Sequence, residues 1–250
     1  MKRMRETPQP KGSVALAVRR RWKSWWQQAG WDEFVGVTKV FIFVVSLGLF
    51  FELSSDAAKG GYLVQEQNIM RGLRDAAGLP VGPAWLPGAV RDITALGSAT
   101  LLSVIGAALA GFLCVRRRYR AALLIAFATI GGQIVNKLLK MFFDRARPDV
   151  SLHLLQIDSE SFPSGHAMSS ATFYLTLGML LAEATPRRRE KIFIMATAVV
   201  LISLTGLSRI YLGVHYPADV AAGWAGGTLW AIFCHAVARR AGASLGPAVL

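Results

Sequence analysis

The chain has 250 residues, of which 53% are hydrophobic and only 17% are charged. Soluble domains carry about 25% charged residues, so this composition and a mean hydropathy of +0.40 argue against a soluble protein and favour an integral membrane protein. The formal net charge is +13, but the basic residues lie in short clusters between apolar runs. This distribution argues against a nucleic-acid-binding protein and is typical of membrane topology.

Residues 1–33 form a basic, tryptophan-rich segment that precedes the first long apolar run. Its apolar residues follow helical spacing and lie opposite Arg and Lys; they are Val14, Val18, Trp22, Trp25 and Trp26. The pattern predicts a cytoplasmic amphipathic helix on the anionic inner leaflet of the membrane. A solvated charged tail is the alternative. Because the long apolar run begins only near Phe34, we expect no cleaved signal peptide.

Six apolar runs follow. A helix needs about 20 apolar residues to cross the hydrocarbon core, and the runs cover approximately residues 34–53, 93–115, 121–141, 166–182, 192–208 and 217–237. They predict an all-α integral membrane protein with a six-transmembrane-helix bundle in residues 34–240. Residues 241–250 are then a cytoplasmic tail.

Basic clusters set the expected orientation. They occupy residues 2–23, 116–120, 187–191 and 239–240, and with six spans all of them lie on one side. Because Lys and Arg are enriched in cytoplasmic loops, that side is predicted to be the cytoplasm, with both termini inside. Cys114 and Cys234 are expected near this cytoplasmic face. Because disulfides are rare in the cytoplasm, we expect none between them.

The long first outer connection, residues 54–92, is interpreted as an interfacial loop. Apolar residues between Ile69 and Ala77 share one face of a possible short helix, and prolines interrupt the stretch that follows. A simple linker is the alternative. At the end of this connection, Asp92 or Thr94 is a candidate to support a site, although an interfacial ion pair is the favoured account of this segment.

Three polar groups fall on the opposite, outer face. Lys140 is followed by Arg147-Pro148 after the third span, and Pro163-Ser164-Gly165-His166 opens the fourth. The fifth span closes with Ser208-Arg209, and His215 and Asp219 follow where the sixth begins. The topology was derived from charges alone, so the meeting of these groups on one face is an independent observation.

The basic members of these groups suit a phosphate ligand. Transfer of a phosphoryl group depends chiefly on positioning and on positive charge around the non-bridging oxygens. Lys140, Arg147 and Arg209 supply such charge from three separate elements, and Arg can grip phosphate with two hydrogen bonds. Nearby Lys137 and Arg145 are interpreted as residues that extend from a helix end towards the membrane interface.

The remaining residues predict a division of chemical labour. Ser164 and Gly165 lie where a helix should begin, and free N–H groups and the helix dipole make that end an anion site. His215 is predicted to attack phosphorus as a neutral imidazole, and Asp219 to orient it. His166 is predicted to protonate the leaving oxygen and then to activate water. Pro217 places His215 just before a helix and Asp219 in its first turn.

Together the motifs read K-x6-R-P, P-S-G-H and S-R-x5-H-x3-D. They resemble the signature of the type-2 phosphatidic acid phosphatase superfamily at every fixed position. The resemblance implies a six-helix membrane-bound lipid phosphatase of the bacterial type, with a phosphohistidine intermediate and the same residue roles. The sequence contains no cluster with the spacing of metal ligands, so we expect neither a metal nor another cofactor.

A membrane-embedded lipid phosphate is the expected substrate. Undecaprenyl diphosphate, phosphatidylglycerophosphate and phosphatidic acid all fit, with a slight preference for the first from overall resemblance. The site is then expected on the periplasmic face of the bacterial inner membrane. A phosphotransferase with the same phosphohistidine chemistry is one alternative, and a non-enzymatic lipid transporter or scaffold is another. The sequence leaves the oligomeric state open.

Overall fold

The computed structural model describes residues 12–59, 63–155 and 159–242, with the side chains of residues 12–34, 58, 63 and 150 outside that description. This part of the chain is all-helical, which confirms the predicted fold class. The helices are α1 (Gly12–Lys59), α2 (Leu63–Arg71), α3 (Leu86–Ala95), α4 (Ala99–Val115), α5 (Tyr119–Phe143), α6 (Gly165–Ala184), α7 (Arg188–Tyr211) and α8 (Pro217–Arg240), with a 3₁₀ turn at Val150–Leu152.

Among the described helices, four are long and apolar enough to cross a membrane. They are α5, α7, α8 and the Val35–Ala57 part of α1. The helices α3 and α4 are bent by 45° relative to each other, and they make a fifth span if the pair counts as one. The chain is therefore a multi-pass membrane protein. The predicted fourth span corresponds to α6, which does not meet the same criterion and packs against α5, α7 and α8. The six-span count stays a prediction.

The N-terminal helix is longer than expected. The chain divides into two units, Met1–Ile42 and Phe43–Leu250. No proline interrupts residues 12–59, and α1 covers Gly12–Lys59. The side chains of the predicted amphipathic segment lie outside the described residues, as do residues 243–250 of the predicted tail. The boundaries at residues 33/34 and 240/241 stay predictions.

The first outer connection contains a short helix, α2, but the predicted position of this helix between Ile69 and Ala77 was wrong, because α2 ends at Arg71. One face of α2 is buried at Met70, which is 1% exposed, whereas Ile69 is 53% exposed. The helix ends at Arg71. The Asp75 carboxylate then accepts hydrogen bonds from two of the backbone N–H groups that follow it, and this turn is an alternative to continuing the helix. Arg74 donates to the carbonyl oxygens of Leu152 and Tyr211, which ties this loop to the connection before α6 and to the last residue of α7.

Small residues bring α6 and α8 into close contact. A Cβ atom added at Gly227 would lie 2.5 Å from the Met168 carbonyl oxygen and 2.7 Å from the Ala171 Cβ, and one at Gly223 would lie 2.7 Å from the Ser164 carbonyl oxygen. Glycine at such positions lets helix backbones approach closely within a membrane. The first turns of α6 and α8 therefore lie side by side, and the Ser164 backbone N–H donates to the Asp219 carbonyl oxygen at 2.9 Å.

We predict that Gly227→Val separates these two helices. The added side chain would overlap backbone and Ala171, at a cost of about 1–3 kcal/mol. The variant should show a lower apparent melting temperature in detergent by fluorescence-detected size-exclusion chromatography. Gly111→Val is the matched control, because a Cβ at Gly111 meets nothing within 4 Å. Equal melting temperatures for the two variants would contradict this account of the packing.

Candidate active site

His215 lies in the tight connection between α7 and α8. Gly213 has φ of +79°, and a Cβ there would lie 1.9 Å from the Leu152 carbonyl oxygen, so only glycine fits this turn. The turn directs His215 inward, where it is 2% exposed. Pro217 is the first residue of α8 and Asp219 the third, which confirms the predicted placement of the histidine before the helix and of the carboxylate in its first turn.

The Asp219 carboxylate is completely buried and has several partners. Its Oδ2 atom accepts hydrogen bonds from the Tyr216 backbone N–H at 2.9 Å and from the Ser161 hydroxyl. The same oxygen lies 3.6 Å from Nδ1 of His215, slightly beyond hydrogen-bonding distance, and Ser161 Oγ lies 3.5 Å from that nitrogen. Hydrogen bonds at unliganded sites are often long and tighten when substrate binds.

The two ring nitrogens of His215 face different partners. Nε2 lies 3.3 Å from Nη1 of Arg147. Because a guanidinium can only donate hydrogen bonds, we assign the lone pair to Nε2 and the proton to Nδ1, on the Asp219 side. Burial lowers the pKa of His215 to about 3, although Asp219 acts in the opposite direction. At neutral pH the imidazole is therefore uncharged, and Nε2 is the nucleophilic atom.

Lys140 and Arg147 meet on one backbone carbonyl. Lys140, in the last turn of α5, donates to the carbonyl oxygen of Glu160, and Arg147 donates to the same oxygen at 3.2 Å. Arg147 also donates to the carbonyl oxygens of Ser159 and Val214. Burial lowers the pKa of Arg147. None of these acceptors carries a charge, so the positive charges of Lys140 and Arg147 are not neutralised and can attract an anion.

Arg209 is the most deeply buried of the predicted cations. It lies in the last turn of α7, is 2% exposed, and donates from Nη1 to the Thr94 hydroxyl at 3.2 Å. Within the described residues its Nε atom has no hydrogen-bond partner. A buried cation is costly unless an anion compensates it, which suits a phosphate site. Of the two candidate supporting residues, Thr94 contacts the site, whereas Asp92 is exposed.

The Ser164-Gly165-His166 segment begins α6, as predicted. Ser164 is completely buried, and its hydroxyl has no partner in the described part of the chain. A Cβ on Gly165 would lie 3.2 Å from the Asn136 side-chain oxygen and 3.9 Å from Cε of Lys140, so this helix end adjoins the cation of α5. Arg209, Arg147 and Lys140 lie close enough to His166 for their positive charges to act on it. The structure thus brings every predicted site residue into one cluster.

The interpretation of Arg145 as a residue extending to the interface was wrong. Arg145 is 8% exposed, and its two terminal nitrogens contact Asp219 Oδ1 and Glu66 Oε2, each at 2.6 Å. Its guanidinium also lies 4.6 Å from the centre of the Tyr216 ring. The prediction failed because the carboxylates that hold Arg145 come from distant parts of the chain. Glu66 and Ser161 were missed for the same reason, whereas Lys137 is exposed as expected.

Comparison with known proteins gives consistent matches. The PAP2 superfamily profile matches residues 121–243. Phosphatidylglycerophosphatase B of Bacillus subtilis is 35% identical over 153 residues, covering 58% of this chain and 71% of that protein. Decaprenylphosphoryl-5-phosphoribose phosphatase of Mycobacterium tuberculosis is 36% identical over 129 residues, covering 50% and 66%. A crystal structure of a transmembrane PAP2-type phosphatidylglycerolphosphate phosphatase from Bacillus subtilis has a TM-score of 0.65 and 29% identity, covering 81% of this chain and 96% of that one.

The helical fold, the clustered cations and these matches define an integral membrane lipid phosphatase, an enzyme that hydrolyses phosphoric monoesters. The chain belongs to the PAP2 superfamily, the type-2 phosphatidic acid phosphatases. All of the predicted site residues, from Lys140 to Asp219, lie within the matched region.

We predict that Thr94→Val weakens the site without changing its shape. The substitution leaves an N–H group of buried Arg209 unpaired, at a cost of about 1 kcal/mol. We therefore expect a roughly fivefold lower kcat/KM on a lipid phosphate. Thr176→Val is the control, since Thr176 is also buried but its hydroxyl has no partner among the described residues. Equal losses in the two variants would contradict a role for the Thr94–Arg209 hydrogen bond.

Proposed function

We propose that this protein hydrolyses the phosphate or diphosphate group of a membrane lipid through a phosphohistidine at His215. The observation that carries the proposal is the arrangement around this residue. An uncharged imidazole presents Nε2 to Arg147 and turns Nδ1 towards a buried carboxylate. A buried arginine, Arg209, lies in the same cluster without an ion-pair partner among the described residues. This arrangement suits attack on a bound phosphate.

In the first step the lipid phosphate binds against Lys140, Arg147 and Arg209. The backbone N–H groups at the start of α6 bind its oxygens as well. Nε2 of His215 then forms a bond to the terminal phosphorus, and the bond between that phosphorus and the oxygen linking it to the rest of the lipid breaks. His166 donates a proton to that leaving oxygen. The ring of His215 becomes positively charged, and Asp219 stabilises this charge through Nδ1–H.

In the second step water replaces the nitrogen on phosphorus. His166, now uncharged, accepts a proton from water as the oxygen attacks. The bond between nitrogen and phosphorus breaks, inorganic phosphate leaves, and His215 returns to its neutral form. The same cations stabilise the charge on the transferring group in both steps.

For the substrate we propose undecaprenyl diphosphate first, with phosphatidylglycerophosphate and phosphatidic acid as further candidates. The names of the relatives support this range, because one acts on a phosphatidylglycerol phosphate and the other on a decaprenyl lipid. The test measures phosphate released from each lipid by the purified protein in detergent with EDTA. We expect release without metal ions, and inhibition by vanadate.

Two results would contradict this proposal. Loss of activity in EDTA with recovery on adding magnesium would refute the metal-independent mechanism. A new phosphorylated lipid in place of free phosphate would identify a phosphotransferase.

We also propose that the site faces the outside of the cell membrane and that both termini are cytoplasmic, because the basic clusters lie at the other ends of the helices. In a background without Cys114 and Cys234, we predict that Asp149→Cys reacts with an impermeant thiol reagent added to intact cells. Arg189→Cys should react only after permeabilisation. The reverse pattern would place the site on the cytoplasmic side.

A further prediction separates the two histidines by leaving group. His215→Ala should form no phosphoenzyme with any substrate, because the nucleophile is missing. His166→Ala should lose about 10²–10⁴-fold on lipid phosphates, which need a protonated leaving oxygen. It should still accumulate phosphoenzyme from an activated aryl phosphate, because nitrophenolate leaves without a proton and hydrolysis then stalls.

The measurement is a rapid quench with labelled aryl phosphate, followed by detection of acid-labile, base-stable phosphate on the protein. Wild-type protein is the reference for both variants. Phosphoenzyme that is trapped in His215→Ala and absent in His166→Ala would reverse the two roles.

A further inference from the structure

Behind the nucleophile lies a row of three buried charges, of which the reaction described above uses only Asp219. Glu66 in α2 contacts Arg145, Arg145 contacts Asp219, and each contact measures 2.6 Å. The side chains of Glu66 and Arg145 are each 6% exposed, and that of Asp219 is 0% exposed. The three groups come from the first outer connection, the segment after α5 and the first turn of α8.

Arg145 alone would work against the chemistry of His215. Its guanidinium lies directly on the carboxylate that should stabilise the cationic ring of phosphorylated His215. A single Arg–Asp pair is close to neutral, so its attraction for that ring is weak. Glu66 restores one net negative charge to the group, because two carboxylates then share one guanidinium. In a buried site such a charge acts strongly on a neighbouring cation.

Glu66 also fixes the helix that carries Asp219. Its Oε1 atom accepts a hydrogen bond from the Ala218 backbone N–H at 2.8 Å, while Oε2 contacts Arg145. Ala218 is the second residue of α8, and its N–H is one of the groups that a helix start leaves without an intrahelical partner. One carboxylate therefore holds both the cation beside Asp219 and the backbone next to it.

We propose that Glu66 is a positioning residue of the phosphatase reaction. It holds Arg145 against Asp219 and supplies the negative charge that lets Asp219 stabilise the phosphorylated, cationic ring of His215. The proposal rests on the function proposed above, and it gives the first outer connection a part in catalysis. A purely structural ion pair would affect only folding. In the role proposed here, the charge of Glu66 also affects the rate of turnover.

The test begins with Glu66→Gln, which keeps the size of the side chain and removes its charge. We expect kcat to fall roughly 10- to 100-fold, the range seen when a group that orients a functional histidine is lost. The loss should be the same for lipid phosphate and activated aryl phosphate, because it affects the nucleophile and not the leaving group. KM and vanadate inhibition should change less than about threefold, since Lys140, Arg147 and Arg209 are untouched.

A second variant, Glu66→Gln/Arg145→Met, separates charge from folding. It removes the buried cation together with its partner, a replacement that proteins often tolerate. Asp219 keeps its charge and its hydrogen bonds from Ser161 and Tyr216. We expect kcat to be roughly threefold or more above that of Glu66→Gln, because the group regains one net negative charge. If Glu66→Gln does not fold, the double variant is compared with wild type and should retain at least about a tenth of its kcat.

Glu52→Gln is the matched control, because it makes the same change at an exposed carboxylate. Three results would each overturn the role of Glu66. They are a wild-type kcat in Glu66→Gln, a change confined to KM in that variant, and a double variant slower than the single one. A double variant below a tenth of wild-type kcat would overturn it when the single variant cannot be purified. Absence of phosphoenzyme turnover in both wild type and Glu52→Gln would instead refute the function proposed above.

Discussion

The structure of the site depends on the burial of one carboxylate. Asp219 has no exposed surface, and a buried charge is stable only when other groups compensate it. Compensation comes from Arg145, from the Ser161 hydroxyl and from the Tyr216 backbone N–H. These partners belong to the segment after α5, the segment before α6 and the start of α8. Satisfying one charge therefore draws three connections together and sets the orientation of His215 beside them.

Close helix packing gives that carboxylate its setting. Gly223 and Gly227 let α8 lie directly against α6, which places the start of α6 next to Asp219. Lys140, Arg147 and Arg209 then surround the same space although like charges repel one another. Their described hydrogen bonds go to neutral acceptors. A site of this kind gains most when an anion enters it, and preorganised positive charge of this sort favours phosphoryl transfer.

The sequence predicted the parts of the molecule that have a local pattern. Spacing identified the clustered residues from Lys140 to Asp219, and Pro217 placed His215 before a helix. Hydropathy predicted an all-helical membrane protein. Contacts between distant segments have no such signal, so the partnership of Glu66 with Arg145, 79 positions apart, was missed. The count of spans is a different case, because α6 carries polar residues that pack against neighbouring helices and reduce its apolar character.

The central claim is that Nε2 of His215 is the nucleophile that attacks phosphorus. Asp219, held by its buried partners, orients His215 for this attack. A structure determined with bound vanadate tests this most directly, because vanadate adopts the geometry of the transferring phosphoryl group. The account predicts vanadium bonded to Nε2 of His215, with His166 on the opposite side and the oxygens contacting Lys140, Arg147 and Arg209. Vanadium bonded to His166, or bound away from both histidines, would contradict it.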